Sequence, residues 1–316
     1  MTNKILITGA AGFIGSNFVR YILAEGDYDE IVVLDALTYA GNMDNLEDAI
    51  DDPRLTFIRG DIADAEMAFK AMDGCRYVVN FAAETHVDRS LSAANPFLHT
   101  NIMGTYVLLE TARKTRPEKF LHISTDEVYG PMLNGSATED SPLRPSSPYS
   151  ASKVSADALC NAYRVSFDVP TLLARPANNY GPYQYPEKLI PFFVKRAVAG
   201  ESLPVYGDGR QQRDWLHVLD NCRAIKLIIE KGKPGDIYNI GADNHHQNID
   251  ITRKILKILG LPESRIEFVT DRPGHDFRYA IDSTRIKSLG WEPQIPFEDG
   301  FADTVNWFAG RFGGAL

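Results

Sequence analysis

Gly9-Ala10-Ala11-Gly12-Phe13-Ile14-Gly15 joins the apolar run Lys4–Thr8 to the amphipathic stretch Phe13–Glu25, and its reading decides the fold. A chain that leaves a buried strand, turns tightly on glycines and enters a helix brings backbone N–H groups to the positive end of that helix. A Cβ in such a turn would keep a pyrophosphate away from those groups. Twenty residues after Gly15 stands Asp35, the last residue of the next apolar run, Glu30–Asp35. A carboxylate at that distance accepts hydrogen bonds from an adenosine ribose diol and repels a 2′-phosphate, so NAD is expected as cofactor rather than NADP.

Outward from this unit the same texture repeats. Apolar runs at 55–61, 77–83, 119–124 and 171–175 alternate with helical candidates at Ala65–Met72, 96–115 and Pro148–Phe167. Near-continuous apolar runs suit strands buried on both faces, and strands alternating with helices predict parallel pairing through right-handed crossovers. A further run at 236–241 can return to the sheet. The expected fold class is therefore α/β, a Rossmann-type doubly wound parallel sheet with a smaller C-terminal α/β substrate-binding lobe. In such sheets Asp61-Ile62, after the third strand, falls near the adenine, and Ala82-Ala83, after the fourth, beside the pyrophosphate and nicotinamide ribose. After Arg175 the alternation becomes irregular, with Pro176, Pro182, Pro186 and Pro191 close together. Residues 1–177 plus about 215–242 are read as the dinucleotide domain. The substrate lobe takes 178–214 plus about 243–316.

Bulk properties exclude other classes. The 316 residues are 44% hydrophobic and 24% charged, ordinary for a globular chain able to bury a sizeable core. A net charge of -9 argues against nucleic acid or an anionic membrane as partner, since both are polyanions. No apolar run reaches the ~18 residues that span a bilayer, and the N-terminus runs straight into a strand rather than reading as a signal peptide. Cys75, Cys160 and Cys222 are scattered, which fits a reducing cytoplasm and gives no zinc pattern. His245-His246 lies in a polar loop without a third ligand nearby, so no metal is expected.

Chemistry concentrates around the fifth strand. Phe120-Leu121-His122-Ile123-Ser124 runs into Thr125-Asp126-Glu127, and carboxyl ends of parallel strands are where ligands bind. Tyr149 and Lys153 lie one helical turn apart at the start of a long amphipathic stretch. A nearby ammonium favours phenolate, which makes Tyr149 a candidate base. This spacing also fits an ordinary helix pair, and the context after the fifth strand selects the catalytic reading. His122 and His217 are read as packed or hydrogen-bonded rather than catalytic.

These stretches, together with Asp35–Asn42, Ala82–Ser90, Asn178–Pro182, Pro186–Leu189, Val205–Gly209, Arg213–Trp215 and Arg272–Asp276, resemble the extended short-chain dehydrogenase/reductase family nearly end to end. The Thr125-Asp126-Glu127 triplet resembles its nucleotide-sugar 4,6-dehydratases, whereas related C4 epimerases usually carry small hydroxyl residues there. The resemblance implies a dTDP-glucose-like substrate, with a UDP-glucose 4,6-dehydratase or a UDP-sugar 4-epimerase as alternatives and a non-catalytic NAD-binding protein the remotest. It implies that Tyr149, aided by Thr125 and Lys153, deprotonates the sugar 4-hydroxyl, that Glu127 is base at C5 and that Asp126 is acid at the 6-hydroxyl. Gly9, Gly12, Phe13, Ile14, Gly15, Asp35, Leu37, Thr38 and Gly41 would hold NAD, with Asp61, Ile62, Ala82, Ala83, Tyr149 and Lys153. Glu84, Asn178, Asn179 and Lys188 would line the sugar and phosphate end. Arg213, Asn248 and Arg272 would serve the diphosphate, and Tyr206 and His275 the nucleoside; Leu189 and Pro204 would also contact substrate. A cytoplasmic homodimer through the helices at 96–115 and Pro148–Phe167 is expected on the same analogy. Ala36 departs from a common Lys, Pro176-Ala177 from a common Cys-Ser, and the stretch between Gly130 and Pro148 is short.

Overall fold

The computed structural model describes residues 3–271 and 276–313. Seven parallel strands form the central sheet: β1 (Lys4–Thr8), β2 (Glu30–Asp35), β3 (Leu55–Arg59), β4 (Tyr77–Asn80), β5 (Lys119–Ile123), β6 (Thr171–Pro176) and, late in the chain, Ile237–Ile240. Their spatial order is β3-β2-β1-β4-β5-β6 and then Ile237–Ile240, so the order reverses between β1 and β4. That reversal opens a crevice at the carboxyl ends of β1 and β4, where doubly wound sheets bind their ligands.

Period-two alternation places the core on both faces of the sheet. Ile5 and Ile7 of β1 pack with Phe18 and Ile22 of the helix Phe13–Glu25 and with Ile225 and Ile228 of the helix Val218–Lys231. Leu6, from the same strand, faces the opposite cluster with Leu108, Phe120 and Cys160. Each such fully buried side chain contributes ~1.5–3 kcal/mol of hydrophobic stabilisation before entropy is counted.

A separate cluster made by Tyr180, Phe193, Trp215, Ile251, Phe301 and Phe308 forms the centre of the second, smaller body. Two small sheets accompany it. One pairs β7 (Asn178–Tyr180) and His245–Gln247 with β9 (Gln212–His217); the other pairs β8 (Leu203–Tyr206) with Ile266–Val269. β9 runs unbroken through residues 214 and 215, so the segment that leads back to the main sheet leaves from within a lobe strand.

Three of the expected strands end early. β3 stops at Arg59 rather than 61, β4 at Asn80 rather than 83 and β5 at Ile123 rather than 124. The freed residues, Asp61, Ala82, Ala83 and Ser124, leave the ladder and face the crevice. The run at 236–241 pairs only over Ile237–Ile240, while the sixth strand extends to Pro176. The expected helix 96–115 begins at Asn95 and carries a π-helical segment, Leu98–Gly104, before Thr105–Thr115. Gly104 lies there against Ile62, whose Cδ1 would sit 2.5 Å from an added Cβ.

Candidate active site

The glycine turn has the shape its sequence implies. Gly9 adopts φ +67°, and a Cβ there would fall 2.5 Å from the Ala82 nitrogen. A Cβ on Gly15 would fall 2.4 Å from the Gly9 carbonyl oxygen. Gly12 precedes the helix Phe13–Glu25 with no side chain to cap it, so the first-turn amides are left to a ligand. Asp35 closes the turn from beside it: Oδ2 accepts from the Ala11 N–H at 2.8 Å and Oδ1 from the Leu37 N–H at 2.8 Å. Burial raises its pKa, and those two N–H groups pull the other way. Gly41 approaches so closely that a Cβ would stand 2.8 Å from Asp35 Oδ1. This cradle fits a dinucleotide: bare amides for a pyrophosphate and a buried carboxylate with lone pairs left for a ribose diol.

One cleft unites the expected residues of both kinds. Gly9, Gly12, Phe13, Ile14, Gly15, Asp35, Thr38 and Gly41 line it, with Asp61, Ile62, Ala82 and Ala83. So do Thr125, Asp126, Glu127, Tyr149 and Lys153, and from the substrate set Glu84, Asn178, Asn179 and Lys188. Leu37 stands behind the turn in a left-handed conformation, φ 53°.

Local sequence explains why the candidate catalytic side chains are held where they are. Ser147 and Ser150 make a reciprocal capping box at the head of Pro148–Phe167: each hydroxyl accepts from the other residue's N–H, at 3.1 and 3.0 Å. Tyr149 and Lys153 therefore project from the best-anchored turn of that helix. Lys153 is 2% exposed and donates to the Ile123 carbonyl at 2.7 Å. Burial pulls its pKa down to about 8, against the opposing fields of Asp157 and Cys160. Burial and the Glu127 charge raise the Tyr149 pKa well above its ordinary value, while its hydrogen bond with Thr125 lowers it. The protein's own field thus favours phenol, contrary to the expectation from the Tyr149–Lys153 spacing alone, because the ring is entirely out of water.

Thr125 caps the short turn Asp126–Tyr129 by accepting from the Glu127 N–H at 3.3 Å. Tyr129 pins the turn from below, donating to Asn239 Oδ1 at 2.7 Å and accepting from Arg175 at 2.7 Å. Arg175 in turn pairs with Asp157 at 2.9 Å, both 3% exposed. On this mount Asp126 is raised to about 8, first by burial, then by Glu127, with Arg213 pulling the other way. A carboxyl of that kind is a protonated acid at neutral pH. Its Oδ2 is buried and has no hydrogen-bond partner among the described residues. The same holds for Asn178 Oδ1, Asn179 Oδ1 and Gln184 Oε1, all on the cleft wall. Buried polar atoms without partners are costly, so a cleft lined with them fits a ligand rich in hydroxyls.

The other expected substrate residues that are described do not line this cleft. Arg213 is 6% exposed, donates to the carbonyls of Gln212 at 2.8 Å and Asp276 at 2.9 Å, and lies over the Tyr279 ring at 4.3 Å. Leu189 opens the helix Leu189–Val198, and Asn248 opens Asn248–Ile258 with its N–H on the Gln211 carbonyl. Pro204 and Tyr206 lie on β8, Tyr206 at its exposed end. Arg272 and His275 fall outside the described residues. Sequence reasoning passed over Thr85, Gln184 and Tyr185, which do line the cleft. Thr85 lies within the stretch Ala82–Ser90 and Gln184 and Tyr185 between two others already singled out, and nothing but neighbourhood marks them. Lys188 reaches across the cleft to the Thr85 carbonyl at 3.0 Å, and Tyr185 stands edge-on to Tyr39, whose ring carries the Arg89 guanidinium at 4.2 Å.

Known proteins resemble this chain in sequence and in fold. A family model described as GDP-mannose 4,6 dehydratase matches residues 6–304. The low-salt glycan biosynthesis protein Agl12 of Haloferax volcanii is 52% identical over 306 residues, 97% of this chain and 98% of its own. A dTDP-glucose 4,6-dehydratase of Actinoplanes sp. is 48% identical over 312 residues, 96% of this chain and 97% of its own. The crystal structure of DesIV, the dTDP-glucose 4,6-dehydratase of Streptomyces venezuelae with NAD bound, superposes with a TM-score of 0.96 at 47% identity over 98% of each chain. Matched along nearly its whole length in sequence and in fold, the chain belongs to the GDP-mannose 4,6 dehydratase family of the extended short-chain dehydrogenases/reductases, beside the dTDP-glucose 4,6-dehydratases.

Proposed function

We propose that this protein is an NAD-dependent dTDP-glucose 4,6-dehydratase, which removes water from dTDP-D-glucose to give dTDP-4-keto-6-deoxy-D-glucose. The observation that carries the reading is Asp126. A carboxyl held protonated at neutral pH, with an unpartnered buried oxygen, stands beside Glu127 in the cleft that also holds the glycine turn, Tyr149 and Lys153. Inverting a sugar carbon needs no acid and base at C5 and C6; eliminating water does. Relatives at 44–49% identity named dTDP-glucose 4,6-dehydratase support the same substrate.

Bound NAD supplies a hydride acceptor for C4 and later a hydride donor for C6. Tyr149 takes the proton of the 4-hydroxyl, and Thr125, its hydrogen-bond partner, steadies the oxygen. Tyr149 and Lys153 must then hold one proton between them rather than two before the step begins. The new ketone acidifies the C5–H, which Glu127 removes. Asp126 protonates the departing 6-hydroxyl, and water leaves. The protonated Glu127 returns a proton to C5 as C6 is reduced, and the site is ready for another turnover once Tyr149 gives up the proton it took from the 4-hydroxyl and Asp126 regains one, so that water is the only net loss.

Asn178, Asn179, Glu84 and Lys188 are assigned to the sugar and phosphate end, and the lobe built from 178–214 and about 243–316 to the nucleotide. We also assign a homodimer. Leu98, Met103, Tyr106 and Val165 are 46%, 50%, 40% and 66% exposed on neighbouring helices, an apolar face that a second copy would cover. The cytoplasm is the assigned compartment, on the strength of three buried free thiols. No helix among the described residues is long and apolar enough to cross a membrane.

Incubation with dTDP-glucose or UDP-glucose tests the reading, followed through the alkali-induced absorbance of a 4-keto-6-deoxy sugar. The thymidine nucleotide should react and the uridine nucleotide lag; unchanged sugar in both tubes with NAD present would refute it.

A further inference from the structure

Residues 181–188 connect β7 to the helix Leu189–Val198 and run along the cleft, with Gln184, Tyr185 and Lys188 on its wall. This strap belongs to the smaller body, yet its side chains grip the dinucleotide side at three places. On the helix that the glycine turn opens, Asn17 donates from Nδ2 to the Pro182 carbonyl at 3.0 Å, and the Arg20 guanidinium lies 3.9 Å over the Tyr183 ring. On the loop after β2, Tyr39 meets the Tyr185 ring edge-on, with centroids 5.3 Å apart. After β4, Arg89 of the helix Val87–Ser92 donates twice to Glu187, from Nε to Oε2 at 2.9 Å and from Nη2 to Oε1. Lys188 adds a bond to the Thr85 carbonyl at 3.0 Å.

Tyr39 joins these contacts into one unit. The Arg89 guanidinium that holds Glu187 also lies 4.2 Å over the Tyr39 ring, and the Tyr39 hydroxyl stands 3.5 Å from Thr85 Oγ1. Arg89 and Glu187 are 43% and 36% exposed, so as a bare surface pair they would hold little. The forked geometry and the ring beneath it give the pair direction and a seat. Thr38, Ala40 and Gly41, on either side of Tyr39, line the same cleft as Gly12 and Phe13. Where Tyr39 meets Tyr185, the wall that carries the glycine turn is therefore bridged to the wall made by the strap.

We infer that the strap 181–188, latched by Arg89 on Glu187 and by Tyr39 on Tyr185, gates the passage of NAD into and out of the cleft. The inference rests on the cofactor reading of the cleft and not on which sugar is turned over. A reaction that takes a hydride from C4 and returns it to C6 leaves its cofactor as it began, so no turnover calls for exchange. Loss of the reduced cofactor between the two steps would strand an oxidised sugar. Every latching contact joins one protein group to another, so the latch opposes entry as much as exit. Loosening it multiplies both rates by the same factor, which cancels in the affinity. A residue that merely touched the cofactor would behave differently: its loss would speed exit, leave entry alone and weaken binding.

Two rates test the gate in the full-length protein. Exchange of bound NAD for isotopically labelled NAD gives the exit rate of the holoenzyme, and stopped-flow fluorescence on protein stripped of its cofactor gives the entry rate. In Arg89→Met and in Glu187→Gln both rates should rise roughly three- to twentyfold, with the Kd for NAD held within about twofold. Arg89→Glu and Glu187→Arg should each be fast alone, and the two together should be slower than either, because the pair is remade with its charges exchanged. Unchanged rates in the single variants would overturn the inference. So would faster exit with unchanged entry and weaker binding, which would make these residues cofactor contacts, or an exchanged pair as fast as its halves. Each outcome is read from NAD alone, so it stands whether or not dTDP-glucose is turned over.

Discussion

Replacing Asp126 by Asn keeps the shape and the neutral charge of the protonated acid while removing its transferable proton. An acid with a pKa of about 8 is about nine-tenths protonated at pH 7. The same group at the ordinary carboxyl value of 3.8 would be protonated less than about one part in a thousand. Burial therefore raises the concentration of the competent acid by on the order of a thousandfold. General acid catalysis is worth roughly 10²–10⁴ in rate, or about 3–5 kcal/mol of barrier. The expected kcat of Asp126→Asn is lower by that factor. Tyr149, Thr125 and Lys153 are untouched, so C4 oxidation should proceed. Rapid mixing with dTDP-glucose should show nicotinamide reduction at close to the wild-type rate, while the 4-keto-6-deoxy product appears slowly. An Asn variant that eliminates water at the wild-type rate would remove Asp126 from the mechanism. Loss of both steps in equal measure would make it a structural residue.

Other outcomes follow from the same geometry. Gly15→Ala would place a Cβ 2.4 Å from the Gly9 oxygen and 2.7 Å from Ala10 Cα, both backbone, at a cost of ~1–3 kcal/mol. NAD content after purification, read by absorbance, should fall at least tenfold, and full retention would contradict the cradle. Arg175→Met strands Asp157 without its partner at 3% exposure, for a loss of ~3–5 kcal/mol, so calorimetry should show a melting point lower by several degrees. An unchanged melting point would mean that water already reaches the pair. Met103→Glu puts a charge on the exposed apolar helix face, and sedimentation should shift from dimer to monomer; a monomeric wild type would refute the assigned interface.

How much the residues disclose depends on whether the cause is local. The glycine turn, Asp35 and the apolar runs around them are legible because turn sterics and burial act over a few neighbours. The strands expected to end at Asp61, Ala83 and Ser124 stop at Arg59, Asn80 and Ile123, because residue type alone does not mark the last ladder bond. Only a neighbouring strand tells the chain to stop pairing. The helix at 96–115 conceals its π segment for a like reason: Gly104 reads as a weak helix residue, and its tight fit against Ile62 exists only in three dimensions. Tyr149, Lys153 and the Asp126-Glu127 pair could be singled out by type and spacing. Their proton affinities could not, since burial dominates all three shifts and runs opposite to the simple charge argument at Tyr149. His122 was read as a packed residue, and it is packed. Its partners Asn80 and Lys153 stand 42 and 31 positions away, and only the sheet and the helix above it bring them together.

The most direct measurement follows one hydrogen. Give the protein dTDP-glucose carrying deuterium at C4, in ordinary water, and read the product by NMR. A C4 oxidised and a C6 reduced by the same bound cofactor within one closed site should deliver that deuterium to C6. Deuterium still at C4, in recovered glucose or in its 4-epimer, would contradict the account.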